Sequence, residues 1–475
     1  MKKSLKVKLY KRGGRDMLIR FNVKNYLSFS SREDGTSEEF SMIAGKMKSK
    51  KEHLYEQTNA KLLKFAAVYG ANAAGKSNLV KALDFMKDTV IDGLPEKAIE
   101  QYCKVDIKNK EKPSYFELEI RLEEKVYSYG FEVILSKRKF ISEWFCELKP
   151  DGNDKTIFER DILAGTYDLE YFKKSKELYT ILQVYMKEIR DDSSILFLKM
   201  MNQNKKNLYN EHEMANVLRI VYRWIEKKLD INYPDQPISD YSYMVRADNV
   251  EEVCNIISSF GTGITGFELK EVPPERVMEL LPESIKKKLE SDIEKGKEKI
   301  ESNKKIKSIG IALRSSYNFF VIRIYQGDIK CETIQFNHGR DNVFFNIGEE
   351  SDGTVRVLDL IEILLDGEGK TYIIDELDRC LHPNLTYWFV QQFLQYAKER
   401  NVQLVVTTHE SRLMDFKLLR RDEIWFADKR RTGETDLYSL EEYNARFDSK
   451  VDKAYLEGRY GGVPVFSTLF PVQED

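Results

Sequence analysis

Gly70-Ala71-Asn72-Ala73-Ala74-Gly75-Lys76-Ser77 follows the near-continuous apolar run Lys64-Phe-Ala-Ala-Val-Tyr69 and precedes Asn78 to Lys87, a stretch of helical composition. An apolar run of this kind suits a strand covered on both faces. The pattern G-x-x-x-x-G-K-[ST] between a strand and a helix is a phosphate-binding loop. Phosphates need donors at close range. The glycines let backbone N–H groups approach, and the helix N-terminus adds its partial positive charge. Lys76 is expected to reach the terminal phosphates and Ser77 to offer a hydroxyl to Mg²⁺, so residues 70–77, with Asn78 next to them, form the expected nucleotide-binding set.

The late part of the chain supplies the acids that such a loop requires. Tyr372-Ile-Ile-Asp375-Glu376 puts two carboxylates at the C-terminal end of a buried strand, where ligands gather in open α/β sheets. Asp375 is expected to hold magnesium through water, and Glu376 to orient or deprotonate the attacking water. The plainer reading of Glu376 is a cap or a partner for a surface cation. Thr407-Thr408-His409 ends the next strand, and a histidine there can contact the γ-phosphate; a lone histidine is otherwise structural. Upstream, Ser351-Asp352-Gly353-Thr354 opens a run with Val355, Val357, Leu358, Leu360 and Ile361 at helical spacing. Ser351 there also fits a generic helix N-cap, and the two readings are compatible.

Composition narrows the classes. Seventy-six Lys+Arg nearly balance 78 Asp+Glu, for a formal net charge of -2, so any nucleic-acid contact must come from a local patch. Cys103, Cys146, Cys254, Cys331 and Cys380 form no C-x-x-C pair, and their odd number suits a reducing cytosol better than a disulfide framework. No apolar run is long enough to cross a bilayer. A soluble, cytoplasmic protein is expected. Residues 1–16 read as an extension or as an over-long start before Met17.

Met17 to Val23 reads as a first strand, and Phe116 to Leu122 with Tyr127 to Leu135 as an antiparallel hairpin with one wet face. From 151 to 315 the pattern turns helical and charge-rich. Val217, Ile220, Val221, Trp224, Ile225 and Leu229 share one helical face, and Ile285, Leu289 and Ile293 mark a helix within a Lys/Glu-rich run to Lys307. Gly296 interrupts that run, which predicts a short bent helix pair. Strand signals return at Phe319 to Tyr325, Lys370 to Ile374 and Val402 to Thr407, with a helix over Asn384 to Arg400 making a parallel crossover unit. Three domains follow: 17–150, the first half of a head with the phosphate loop and a β subdomain; 151–315, a helical insertion; and 316–475, the second half of the head. His382 and the other histidines show no ligand cluster, and Pro383 reads as a helix start.

The order of phosphate loop, S-x-G at a helix start, D-E and a His-ended strand resembles the ABC-type heads of SMC and DNA-repair ATPases, whose signature S-G-G caps the γ-phosphate bound to the opposite subunit. Ser351 and Gly353 take the Ser and second Gly positions, while Asp352 replaces the middle Gly, a departure from the usual signature. Closer resemblance is to ATPases of bacterial defence modules, the abortive-infection and PARIS-type subunits, and more distantly to the overcoming-lysogenization-defect nucleases. It rests on Phe21-Asn-Val-Lys-Asn25-Tyr-Leu-Ser-Phe29, the phosphate loop, Ser351 to Thr354, Ile374-Asp-Glu-Leu-Asp378 with Leu381-His-Pro383, and Gly458-Arg-Tyr-Gly-Gly-Val-Pro464. The resemblance implies an α/β fold: an ABC-type P-loop ATPase head with an antiparallel β subdomain and a helical, short coiled-coil-like insertion. It implies ATP and Mg²⁺, an ATP-sandwich homodimer or higher oligomer, a separate Toprim-like nuclease effector and a phage-encoded trigger protein. Only ten residues follow Val465, so no C-terminal nuclease domain is expected. The alternative implied by the same resemblance is an SMC-like repair or maintenance ATPase that clamps DNA.

Overall fold

In the computed structural model, which describes residues 16–461 except 33, 58–59, 246–249, 303–305, 316–317, 326–327, 341, 367–368 and 444–450, Phe65–Tyr69 is a strand with every residue buried. It lies inside a six-stranded sheet of order Leu229–Asn232, Thr371–Ile374, Gln403–Thr407, Phe65–Tyr69, Ile424–Lys429, Thr435–Ser439. The four strands from Thr371–Ile374 to Ile424–Lys429 run parallel, and Thr435–Ser439 closes the edge antiparallel. The continuous apolar character of Phe65–Tyr69 and Thr371–Ile374 follows from burial on both faces. Helix Pro383–Ala397 joins Thr371–Ile374 to Gln403–Thr407, so the crossover expected from spacing is present, with Pro383 as its first residue. His382 Nδ1 accepts the Asn384 N–H at 3.2 Å, a capping role for that histidine.

Alternating apolar residues build the second sheet. Ser114–Leu122 and Lys125–Ile134 form the expected hairpin, inside a seven-stranded antiparallel sheet that runs Thr166–Asp168, Lys155–Asp161, Lys139–Leu148, Lys125–Ile134, Ser114–Leu122, Met17–Lys24, Glu38–Ser41. Phe116, Leu118, Ile120, Tyr129, Phe131 and Val133 are buried on its inner face. Gln403 ties the two sheets together. Its amide nitrogen donates to the carbonyls of Leu18 and Leu63 at 3.0 Å each, and its oxygen accepts from Leu18 N–H at 2.7 Å and Thr371 Oγ1 at 3.0 Å. A fully buried amide with all four partners replaces within the protein the hydrogen bonds it gives up in water, and it links the strands that it bridges.

The chain divides into two compact units: one holds residues up to 231, 368–377 and 391 onward, the other 232–367 and 378–390. These do not follow the boundaries expected at 150 and 315. Lys155–Asp161 and Thr166–Asp168 are strands that extend the antiparallel sheet, which keeps this segment with the first unit. Buried Glu143 on that sheet accepts the N–H groups of Phe197 at 2.6 Å and Leu198 at 3.0 Å, capping helix Phe197–Asn202. Burial raises its carboxyl above the usual range. The side chain of Arg160 in turn donates to the carbonyls of Ile189, Asp192 and Ile195. Leu229, expected on the helical face that ends in helix Asn216–Lys227, instead begins the edge strand Leu229–Asn232, and Ile220 of that helix is exposed.

The second unit is also less helical than expected. Its sheet runs Gly266–Val272, Ile329–Asn337, Phe319–Tyr325, Ser308–Arg314, all antiparallel. Helix Glu283–Ser302 passes straight through Gly296 with no break into a bent pair. A Cβ at 296 would stand 2.6 Å from Ile324 Cδ1, so this glycine permits close approach to the sheet. Leu289 of the helix packs there with Val277, Phe320, Ile322 and Cys331.

Candidate functional site: a phosphate loop and an acid pair

The phosphate loop leaves strand Phe65–Tyr69 at Gly70, where a Cβ would meet the Ala427 carbonyl oxygen at 2.4 Å. Only glycine fits that approach. Ala73 and Gly75 both have positive φ, 64° and 110°, which turns successive N–H groups into one concavity. Helix Lys76–Ile91 begins immediately after. Lys76 is 6% exposed, and its Nζ donates back to the carbonyls of Gly70 at 2.8 Å and Ala71 at 3.1 Å. Asn72 and Ala73 at the loop's crown are exposed, while Ala74 is buried.

Beneath the loop lies a hydroxyl cluster. Thr435 Oγ1 donates to the Ala74 carbonyl at 2.7 Å and lies 2.7 Å from Ser28 Oγ, which accepts from Asn78 Nδ2 at 2.8 Å. Thr435 N–H also donates to the Ser28 carbonyl at 2.9 Å. A Cβ on Gly75 would sit 2.2 Å from Thr435 Oγ1. Tyr26 and Phe29, near-neighbours of Ser28, are core residues; the Tyr26 ring packs on Phe85 of the loop's own helix at 4.9 Å.

The acids arrive on the strand two places away. Asp375 is 4% exposed, and its Oδ1 accepts from Ser77 Oγ at 3.1 Å and from Thr407 Oγ1 at 2.5 Å. Glu376, half-buried, has φ 51°, and its N–H donates to Thr407 Oγ1 at 2.8 Å. The register that pairs Thr407 with Val68 puts this hydroxyl between the loop strand and the acidic strand. His409 is exposed, two residues past the end of its strand.

These groups fit a nucleotide with its metal. Ser77 and Asp375 offer adjacent oxygens, the donor set of a hard divalent cation, and the loop's N–H groups and Lys76 offer donors to phosphate oxygens. The first unit therefore gathers residues 70–78, Asp375 and Glu376 at one place. Ser351 and Gly353 belong to the second unit. Ser351 is exposed, its Oγ accepts the Thr354 N–H at 3.1 Å, and it precedes helix Asp352–Asp366, so the N-cap geometry is present. A Cβ on Gly353 would stand 3.0 Å from the Cys380 carbonyl oxygen. Ser28, Thr407 and Thr435 were not anticipated as site residues. Ser28 and Thr407 lie within motifs already singled out, whereas no pattern near Thr435 marks it.

Among the described residues no helix is long and apolar enough to cross a membrane. The tail Gly458 to Pro464 is described only to Gly461; within it Tyr460 stacks on Phe426 at 5.8 Å, and Tyr438 donates to the Tyr460 carbonyl at 2.6 Å.

No curated protein matches the chain. Among solved structures it is similar to an Smc head bound to the C-winged helix domain of ScpA, at 14% identity over 89% of this chain and 97% of that one, with a TM-score of 0.38. An Smc head with an extended coiled coil from Pyrococcus furiosus, bound to the C-terminal domain of ScpA, matches at 15% identity over 94% and 100%, with a TM-score of 0.38. The SMC head domain from Thermotoga maritima matches at 13% identity over 89% and 98%, with a TM-score of 0.33. The family described as "AAA domain, putative AbiEii toxin, Type IV TA system" matches residues 65–415, a span that runs from the loop strand past the acid pair and His409. The chain belongs to that family, and it is an ATPase.

Proposed function

We propose that the chain is the ATP-driven sensor and scaffold of an anti-phage defence system, one that controls a separate nuclease effector through ATP-dependent assembly. The observation that carries this reading is the convergence of Lys76, Ser77, Asp375 and Glu376 at the ends of two parallel strands that flank Gln403–Thr407, in a chain whose family description names a toxin of a toxin–antitoxin system. Loop N–H groups and Lys76 bind the β- and γ-phosphates. Ser77 and Asp375 would hold Mg²⁺, which neutralises phosphate charge when bound. Glu376 takes the proton of the attacking water, and His409 reports the γ-phosphate.

Ser351 and Gly353 act on the nucleotide held by a second copy. One phosphate loop and one signature per chain then give two buried ATP molecules in a two-fold dimer. Hydrolysis removes the γ-phosphate contacts that favour closure, so the assembly state follows the nucleotide. A Toprim-like nuclease is the effector and a phage-encoded protein the trigger.

Glu376→Gln retains ATP without cleaving it, so light scattering with ATP and Mg²⁺ is expected to give at least twice the monomer mass, and the monomer when Lys76→Ala is added. A Glu376→Gln chain that binds ATP and stays monomeric at every nucleotide concentration overturns the sandwich. Direct DNA clamping receives no support from helix Glu283–Ser302: Lys286, Lys295 and Lys297 pair with Glu283, Asp292 and Glu294 on the same helix, which cancels most of their field.

A further inference from the structure

Thr407 touches every residue of the acidic turn. Its carbonyl oxygen accepts the Leu377 N–H at 3.0 Å, its hydroxyl accepts the Glu376 N–H at 2.8 Å, and the same hydroxyl donates to Asp375 Oδ1 at 2.5 Å. Parallel pairing between the two strands runs from Thr371↔Gln403 to Ile374↔Val406 and then stops. From that point Thr407 takes over the hydrogen bonding. One hydroxyl has a single proton and two lone pairs, so donating to the carboxylate while accepting the amide completes its role on both sides. Both ends need it. A carboxylate only 4% exposed needs hydrogen-bond donors in place of water, and a non-glycine residue at φ 51° persists only where its surroundings hold it. Thr407 is itself 1% exposed and is seated by its register with Val68, two residues before the phosphate loop.

We propose that Thr407 is a positioning residue whose hydroxyl locks the metal-binding carboxylate of Asp375 and the backbone of the general base Glu376 into one fixed relation to the phosphate loop. The role rests on the nucleotide-site reading above. It differs from packing, because a valine fills the same volume and offers neither bond, whereas a serine gives up volume and keeps both.

The test compares Thr407→Val, Thr407→Ser and Lys76→Ala in the full chain, with the fluorescent analogue mant-ATP as the binding probe. Thr407→Val is expected to bind mant-ATP in EDTA as the wild type does, since the loop and Lys76 are untouched. Its half-saturating Mg²⁺ for nucleotide binding should rise, and its kcat fall, each by about 10- to 100-fold, the usual effect of removing an outer-shell partner of a metal ligand. Thr407→Ser should stay close to the wild type in both, although it lacks the methyl group. Wild-type Mg²⁺ dependence and kcat in Thr407→Val would overturn the proposal, as would equal losses in Thr407→Ser and Thr407→Val, which would mark a packing role. Mant-ATP binding that survived Lys76→Ala would bring down the nucleotide site itself; a loss there beside an unchanged Thr407→Val overturns the positioning role alone.

Discussion

Gly75 shows how tightly single residues are specified at the phosphate loop. Its φ of 110° is a conformation that L side chains rarely adopt, and a Cβ there would overlap Thr435 Oγ1 at 2.2 Å. Gly75→Ala therefore forces either the loop or Thr435 to move. A backbone strain of this class costs about 1–3 kcal/mol, which corresponds to roughly 5- to 150-fold in affinity if the loop deforms to relieve it. Mant-ATP titration should show that loss; unchanged binding would mean that the loop tolerates the side chain and that its geometry is not what holds phosphate. Gly75 and Lys76 were legible in the sequence because their roles depend on a few consecutive residues. The threonine that makes Gly75 obligatory lies on the far edge strand and was not legible.

Helix Asp352–Asp366 carries the second unit's buried charge. Asp359 is 4% exposed and accepts the Ile238 N–H at 3.4 Å, with the Arg314 guanidinium 3.8 Å away. Tyr243 bonds the helix through the Leu358 carbonyl at 2.9 Å, and Ser239 bonds Glu362. Burial pushes the Asp359 carboxyl up to about 6, against the opposing pull of Arg314 and Arg356. Because the folded carboxyl binds its proton more tightly than the unfolded one, the folded state holds more protons between about pH 4 and pH 6. The stability from this residue is present in full below about pH 4 and is lost as pH rises through about 6, by at most about 3 kcal/mol. Relative to Asp359→Asn, which does not titrate, the wild type should lose stability over that window in urea unfolding series. Parallel pH profiles for the two chains would contradict this account. The apolar face of this helix was readable from Val355 to Ile361, but the charged network was not, since Arg314 and Tyr241 reach it from distant parts of the chain.

At the scale of the whole molecule, the proposed two-fold sandwich makes a prediction that no single chain could satisfy. Lys76→Ala lacks a working phosphate loop, and Ser351→Arg lacks a working signature, so each alone should be inactive. Mixed in equal amounts, heterodimers have one site in which an intact loop faces an intact signature, and hydrolysis should recover to about a quarter of wild type for random two-fold pairing. A mixture as inactive as its parts would exclude completion in trans. The same scale explains why the expected borders at 150 and 315 differ from the compact units. A helical tendency in residues 176–227 is local, but the unit that a segment joins is set by strand pairing, and Lys155–Asp161 pairs with Lys139–Leu148.

The sequence by itself determined the chemistry: a loop of close-set amides with Lys76 and Ser77, a strand ending in Asp375-Glu376, and the alternating apolar pattern of the β subdomain. Each of these is encoded within about ten consecutive residues, where spacing alone fixes which groups share a face or a turn. Tertiary structure alone decided that Thr407 binds Asp375 and Glu376, that Thr435 and Ser28 underlie the loop, and that the helix through Gly296 stays whole against Ile324. Those outcomes depend on which strands become neighbours, and a hydroxyl or a missing Cβ acquires its role only from the atom that long-range packing brings against it.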